Sequence, residues 1–139
     1  MRLLFAISFL YIAFGSTRAQ SEILGLWLTD EGDAHVQITK SGDEYIGKIV
    51  WLAEPTNPDG SAKLDKNNPD ESLQSRPILN MTMLSGFTYS RGQYRDGEIY
   101  DARNGKTYSS KMWLDGEDTL MMRGYWGPFY RTVALTRVE

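Results

Sequence analysis

The chain has 139 residues, no cysteine, a single histidine and a net charge of −3 from 15 basic and 18 acidic residues. That balance speaks against a nucleic-acid partner, whose binding rests on neutralising phosphates with Lys and Arg. Without cysteine the fold must be held by packing rather than disulfides, and one histidine falls short of the three or four ligands a zinc site usually takes.

The first segment, "MRLLFAISFLYIAFGSTRAQ", has a basic start at Arg2, an apolar run over residues 3–14 and small residues at Thr17 and Ala19. This is the pattern of a secretory signal peptide cleaved after Ala19. The apolar run is too short to cross ~30 Å of hydrocarbon as a helix, and no cysteine follows to carry a lipid. The expected mature chain, residues 20–139, is a single domain, periplasmic or secreted, with no membrane span after cleavage. Loss of Arg2 and Arg18 leaves 13 basic against 18 acidic residues, a net charge of about −5.

Candidate strands follow at 24–29, 34–40, 44–52, 82–88, 97–101, 106–114, 118–124 and 130–137, punctuated by turn pairs such as Ser41-Gly42, Arg91-Gly92, Asp96-Gly97, Asn104-Gly105 and Asp115-Gly116. Asn-Gly and Asp-Gly pairs tolerate the positive φ of tight hairpins. "AHVQITK" is the clearest strand: Ala34, Val36 and Ile38 fall on one face, His35, Gln37 and Thr39 on the other. One stretch breaks the rhythm. Residues 53–78 carry Pro55, Pro58, Pro69 and Pro77, almost no apolar side chain, and one short helical turn near 71–75. Loops of this length are usually lids, binding loops or disorder. A lid over one barrel mouth is expected, pinned by Trp51, Leu52, Ile78 and Leu79, with Arg76 anchoring its return. Within it, "DKNNPDE" (Asp65, Asn67, Asp70, Glu71) invites a calcium reading, but proline at the fifth position and no glutamate at the twelfth break the EF-hand pattern.

Eight short antiparallel strands joined mostly by hairpins predict an all-β fold, an up-and-down barrel that removes exposed edges, with a two-sheet sandwich as the alternative. In a closed barrel the first and last strands are neighbours, so Arg137 can lie across the indole of Trp27. Gly25-Leu26-Trp27 with the late Arg137 resembles the closed end of lipocalins and related calycin barrels.

"GKIVWLAEP", "NPDESLQSRPIL", "GEIYDARNGKTYS" and "LMMRGYWG...RTVALTRV", in that order, resemble a bacterial family of exported proteins catalogued as domain of unknown function 2147. The resemblance covers residues 25–138 and implies a lipocalin-like barrel in the periplasm or outside the cell. It brings no catalytic residues. Four positions depart from the family pattern: Ala102 for a proline, Tyr94 and Leu135 for tryptophans, and Asn80 for a glycine.

An enzyme is not expected, and no cofactor. His35 sits alone on a polar strand face, and the acids at strand ends (Glu98, Asp101, Asp118) flank turns, where carboxylates commonly bond their own backbone. The "YDARNGKTY" hairpin, read as a type I′ turn at Asn104-Gly105, gathers Tyr100, Asp101, Lys106 and Tyr108. With Trp51, Arg76 and the adaptable thioethers of Met112 and Met122, these form the candidate ligand site. The expected function is binding of a small apolar or amphipathic molecule inside the barrel. The alternatives are a filled barrel whose exposed Trp126, Phe129 and Tyr130 contact an envelope protein, and a carboxylate-based hydrolase using a pair of acids.

Overall fold

The computed structural model describes residues 22–139; the signal-peptide expectation falls on residues outside them. Eight strands follow in chain order: β1 (Gly25–Leu28), β2 (Ala34–Ser41), β3 (Glu44–Leu52), β4 (Thr82–Ser90), β5 (Gln93–Asp101), β6 (Lys106–Leu114), β7 (Thr119–Trp126) and β8 (Phe129–Arg137). Each pairs antiparallel with the next, and β8 returns to β1, closing the barrel. Alternation dictates the inside. Ala34, Val36 and Ile38 of β2 are buried, as are Tyr45 and Ile49 of β3, Met112 of β6, Leu120 and Met122 of β7 and Leu135 of β8.

The expected strand at 97–101 begins four residues earlier. The β4–β5 hairpin turns at Arg91-Gly92 alone, both with positive φ (54° and 78°) as a type I′ loop requires. Asp96-Gly97 is instead a bulge inside β5. Residues 95 and 96 oppose one residue of β6, between the Tyr94↔Met112 and Gly97↔Ser110 pairs, and Asp96 adopts φ 60°. The bulge carries Gly97 against the ring of Phe87, where a Cβ would overlap the ring atoms. Gly97→Ala is therefore expected to cost about 2 kcal/mol through overpacking, read as a lower midpoint in urea denaturation; an unchanged midpoint would show that Phe87 moves aside freely.

The two ends of the barrel differ. At one, Ile23, Trp27, Tyr45, Phe87, Tyr94, Met112 and Leu120 pack into a solid plug, with Tyr94 meeting Tyr45 and Tyr89 edge-on at 4.9 and 5.2 Å. The Arg137 guanidinium lies 4.3 Å over the Trp27 ring. It donates to the carbonyls of Glu22 (2.5 Å), Leu24 (3.1 Å) and Glu117 (2.8 Å), so one side chain ties the N-terminal segment and the β6–β7 hairpin to β8. The Trp27 Nε1 is satisfied by the Ile23 carbonyl at 2.9 Å. At the other end a smaller group of buried residues, Ala34, Ile49 and Met81, supports the wall. Here the β1–β2 and β5–β6 connections meet the 53–78 segment, and the β7–β8 hairpin stands at the same end.

That segment is folded. Antiparallel bridges at Thr56↔Ala62 and Leu64↔Pro77 make it a ragged hairpin, and a 3₁₀ turn at Glu71–Leu73 is capped by Asp70, whose side chain accepts from the Ser72 N–H.

Candidate functional site

The mouth half of the barrel is hollow. A cavity of about 1150 Å³ reaches from the hairpin tips down to Ile99, Met122 and Leu135, which also cap the plug below. Its walls are apolar, with Ala34, Ile49, Leu52, Met81, Met83 and Val133 among them, and Tyr100 and Tyr108 standing nearer the rim. Gly124 helps to make this room: a Cβ there would already touch Tyr108 and Ile99 at 3.7 and 3.8 Å, and a larger side chain would project further.

The rim is charged and largely self-neutralised. Arg103 donates to both carboxylate oxygens of Asp101 (3.0 and 3.1 Å) and to Glu31 across the mouth (3.1 Å), joining the β5–β6 and β1–β2 hairpins. The hydrogen bonds to Asp101 raise the Arg103 pKa above its already high value, so this cation is permanent. Arg131 lies 4.0 Å from Asp30, and Lys63 3.7 Å from Glu54.

The 53–78 segment forms one wall of the mouth and is latched there by a buried carboxylate. Asp65 is 0% exposed. Its Oδ2 accepts from Arg76 Nε (3.0 Å) and Nη2 (2.9 Å) and from Asn68 Nδ2 (2.8 Å), while its Oδ1 accepts from the Tyr100 hydroxyl of β5 at 2.6 Å. Burial, and then the bond to Asp65, push the Tyr100 pKa up to about 12, keeping the phenol a donor. A second tie is Asn67, whose Nδ2 donates to the carbonyls of Ala102 and Arg103. The Asn67 backbone passes so close to Gly105 (φ 72°) that no Cβ fits.

Of the eight candidate binding residues, Tyr100, Asp101, Tyr108 and Met122 line the cavity; the other four do not. Trp51 is turned out by a bulge at Val50: His35 opposes Trp51 but Val36 opposes Ile49, so the alternation slips by one. Its ring is 42% exposed and stacks on His35 at 4.4 Å on the outer wall. Met112 is locked in the plug. Arg76 acts from behind the wall, on Asp65 and over the Tyr100 ring at 5.6 Å. Lys106 is exposed, because the β5–β6 connection is a four-residue loop closed by the Asp101 carbonyl rather than the expected type I′ turn; only Gly105 has positive φ. Ile49, Leu52, Met81 and Met83 were outside the candidate set although the parity of β3 already puts Ile49 in line with Tyr45.

The acids do not converge. Glu98 is exposed on the outer wall, Asp118 belongs to the hairpin at the plugged end, and Asp101 is held by Arg103. The calcium motif is likewise dispersed: Asp65 is taken by Arg76, Tyr100 and Asn68, and Asp70 caps the 3₁₀ turn. Among the described residues no group of three or more His, Cys, Asp or Glu is placed to hold a metal ion.

A family model described as an uncharacterized protein conserved in bacteria (DUF2147) matches residues 25–137. The chain belongs to the DUF2147 family. No match is found among curated proteins. The DUF2147 barrel is similar to the solved structure of HP1028, a protein of the human pathogen Helicobacter pylori described as belonging to the lipocalin family. The TM-score is 0.74 at 21% identity, covering 84% of this chain and 83% of that one; at this identity the likeness concerns the fold. Three of the four positions expected to depart from the family pattern have these locations. Asn80 adopts φ 70°, the left-handed conformation that glycine takes most easily. Tyr94 belongs to the plug, and Leu135 lies on the cavity floor.

Proposed function

We propose that this DUF2147 protein is an exported, non-catalytic carrier that holds one small apolar or amphipathic molecule in the mouth half of its barrel. The observation that carries this is the cavity itself: about 1150 Å³, apolar at depth and rimmed by paired charges. Concave sites of roughly 300–1,000 Å³ with apolar walls and a few placed polar groups are the usual form of small-molecule sites. An apolar chain would lie against Ile49, Met81, Met83, Met122 and Val133, with its polar end among the tyrosine hydroxyls and rim charges. The 53–78 segment then serves as a lid, because it is the wall of the mouth held by side-chain bonds instead of by continuous sheet pairing.

An environment-sensitive apolar dye tests the proposal. The native protein should bind it at one site, with enhanced emission. Leu135→Trp should fill the cavity floor and weaken dye binding at least about tenfold, a difference of ~1.4 kcal/mol, while the far-ultraviolet circular dichroism of the barrel stays unchanged. A folded native protein that takes up no dye, or a Leu135→Trp variant that binds it equally well, would refute the proposed site.

A further inference from the structure

The β7–β8 hairpin differs chemically from the rest of the molecule. In a chain with 18 acidic residues, the twenty positions 119–138 hold none; Arg123 and Arg131 lie toward the mouth, while Arg137 belongs to the plugged end. At the tip, the Gly127-Pro128 turn leaves Trp126 48%, Phe129 62% and Tyr130 59% exposed. The tip stands on the mouth. Trp126 lines the cavity on one side, 6.1 Å from the Tyr108 ring, and on the other side meets Phe129 at 6.3 Å. Apolar surface therefore runs without a break from solvent into the cavity. Behind the tip, Arg123 is held between the rings of Trp113 (5.1 Å) and Tyr130 (4.4 Å), giving the adjoining outer wall a cationic, aromatic character.

We propose that this hairpin docks the barrel mouth-first on a lipid bilayer containing anionic headgroups. Tryptophan and tyrosine favour the membrane interface because each has an apolar body and a polar edge, and Arg123, stacked on Tyr130 behind the tip, complements anionic lipid, Arg131 being paired with Asp30. A protein partner fits the patch less well. Aromatic side chains bury ~150–250 Å² each, so three at these exposures present on the order of 350 Å². A stable protein interface takes about 800 Å² per partner. A bilayer has no such minimum: three rings can enter the headgroup region without any other complementary surface. Docked this way, the mouth opens onto the phase in which an amphipathic cargo is dissolved. The proposal goes beyond ligand binding and does not depend on it, since docking is measured without cargo.

The test is sedimentation of the protein with mixed phosphatidylcholine/phosphatidylglycerol vesicles, together with quenching of tryptophan emission by brominated phosphatidylcholine. The native protein should sediment with the vesicles and be quenched. Trp126→Phe should lose most of the quenching, while Trp51→Phe, which removes the other strongly exposed indole, should retain it. Phe129→Ser combined with Tyr130→Ser should partition at least about tenfold more weakly yet still take up the apolar dye, as neither residue lines the cavity. Should the double variant fail to fold, Phe129→Asp alone, at a fully accessible ring, is expected to give the same loss. No partition by the native protein overturns the proposal, and so does partition that the hairpin variants retain. Dye uptake without vesicle binding would overturn docking alone and leave the cavity's role standing.

Discussion

Replacing Arg137 by alanine is expected to lower the stability of the barrel by about 3 kcal/mol, combining a lost cation–π contact of ~0.5–2 kcal/mol with charged hydrogen bonds of ~1.5–3 kcal/mol. The seam between β1 and β8 is short, with only Trp27↔Arg137 and Leu28↔Thr136 in register. Backbone hydrogen bonds between Leu26 and Val138 and Glu139 extend it by a little, and Arg137 reinforces it with one side chain that covers the Trp27 indole and binds three carbonyls from two separate segments. Truncation would leave those carbonyls without a donor and open one face of the indole to water. Lysine should recover little, since an ammonium on a flexible stem cannot lie flat on the ring while donating in three directions. Urea denaturation followed by tryptophan emission measures the loss. An unchanged midpoint in Arg137→Ala would mean that the plug of Tyr45, Phe87 and Tyr94 closes this end unaided.

The second large effect is local. Asp65→Ala should release the 53–78 segment while the barrel remains folded. Removing one partner of a buried ion pair costs about 3–5 kcal/mol when the other is left uncompensated. Arg76 is about one-third exposed and can rehydrate, so about 3 kcal/mol is the appropriate figure. Three partners lose their acceptor together: Arg76, Asn68 and the Tyr100 hydroxyl. A change of that size raises the population of the undocked segment on the order of 100-fold. Trypsin should then cut at Lys63 and Lys66 faster by a similar factor, as cleavage through local opening follows the open population. The global denaturation midpoint should move much less, because the strands do not depend on the segment. Equal cleavage rates in Asp65→Ala and native protein would show that Asn67 on the β5–β6 loop, not Asp65, holds the segment.

The sequence made the barrel legible because its strands obey period two and its ends are chemically distinctive. Trp27 and Arg137 could be paired from parity and closure alone, and they are direct cross-strand neighbours. The cavity was legible only where no bulge intervenes. Tyr100, Asp101, Tyr108 and Met122 lie in stretches without register shifts and line the cavity. Trp51 was misplaced by a single extra residue at Val50 that no local composition marks, and Asp96-Gly97 was read as a turn since an Asp-Gly pair suits a bulge as well as a hairpin. Arg76 bonds within the long segment, to a partner the sequence does not mark. Asp65 lies eleven positions away in a polar run that composition marks as solvated, and only the folded segment brings it under Tyr100. Met112 of β6 and Met122 of β7 are direct cross-strand partners on the inner face, yet only Met122 reaches the cavity; which of two paired inward side chains borders the hollow depends on the packing around them, which alternation does not encode.

Methionine placement offers the most direct measurement of the hollow mouth. Met81, Met83 and Met122 line the cavity; Met112 is sealed in the plug, and Met121 is not among the lining residues, pairing with the exposed Ala134. With ¹³C-methyl-methionine protein, titration with a single-chain amphiphile should shift the methyl resonances of Met81, Met83 and Met122 along one saturable curve. That of Met121 should stay in place, and that of Met112, the cross-strand partner of Met122 that does not line the cavity, should move less than the three. Shifts confined to Met121, or no shift at any of these methyl groups while the protein remains folded, would contradict a binding cavity in this barrel.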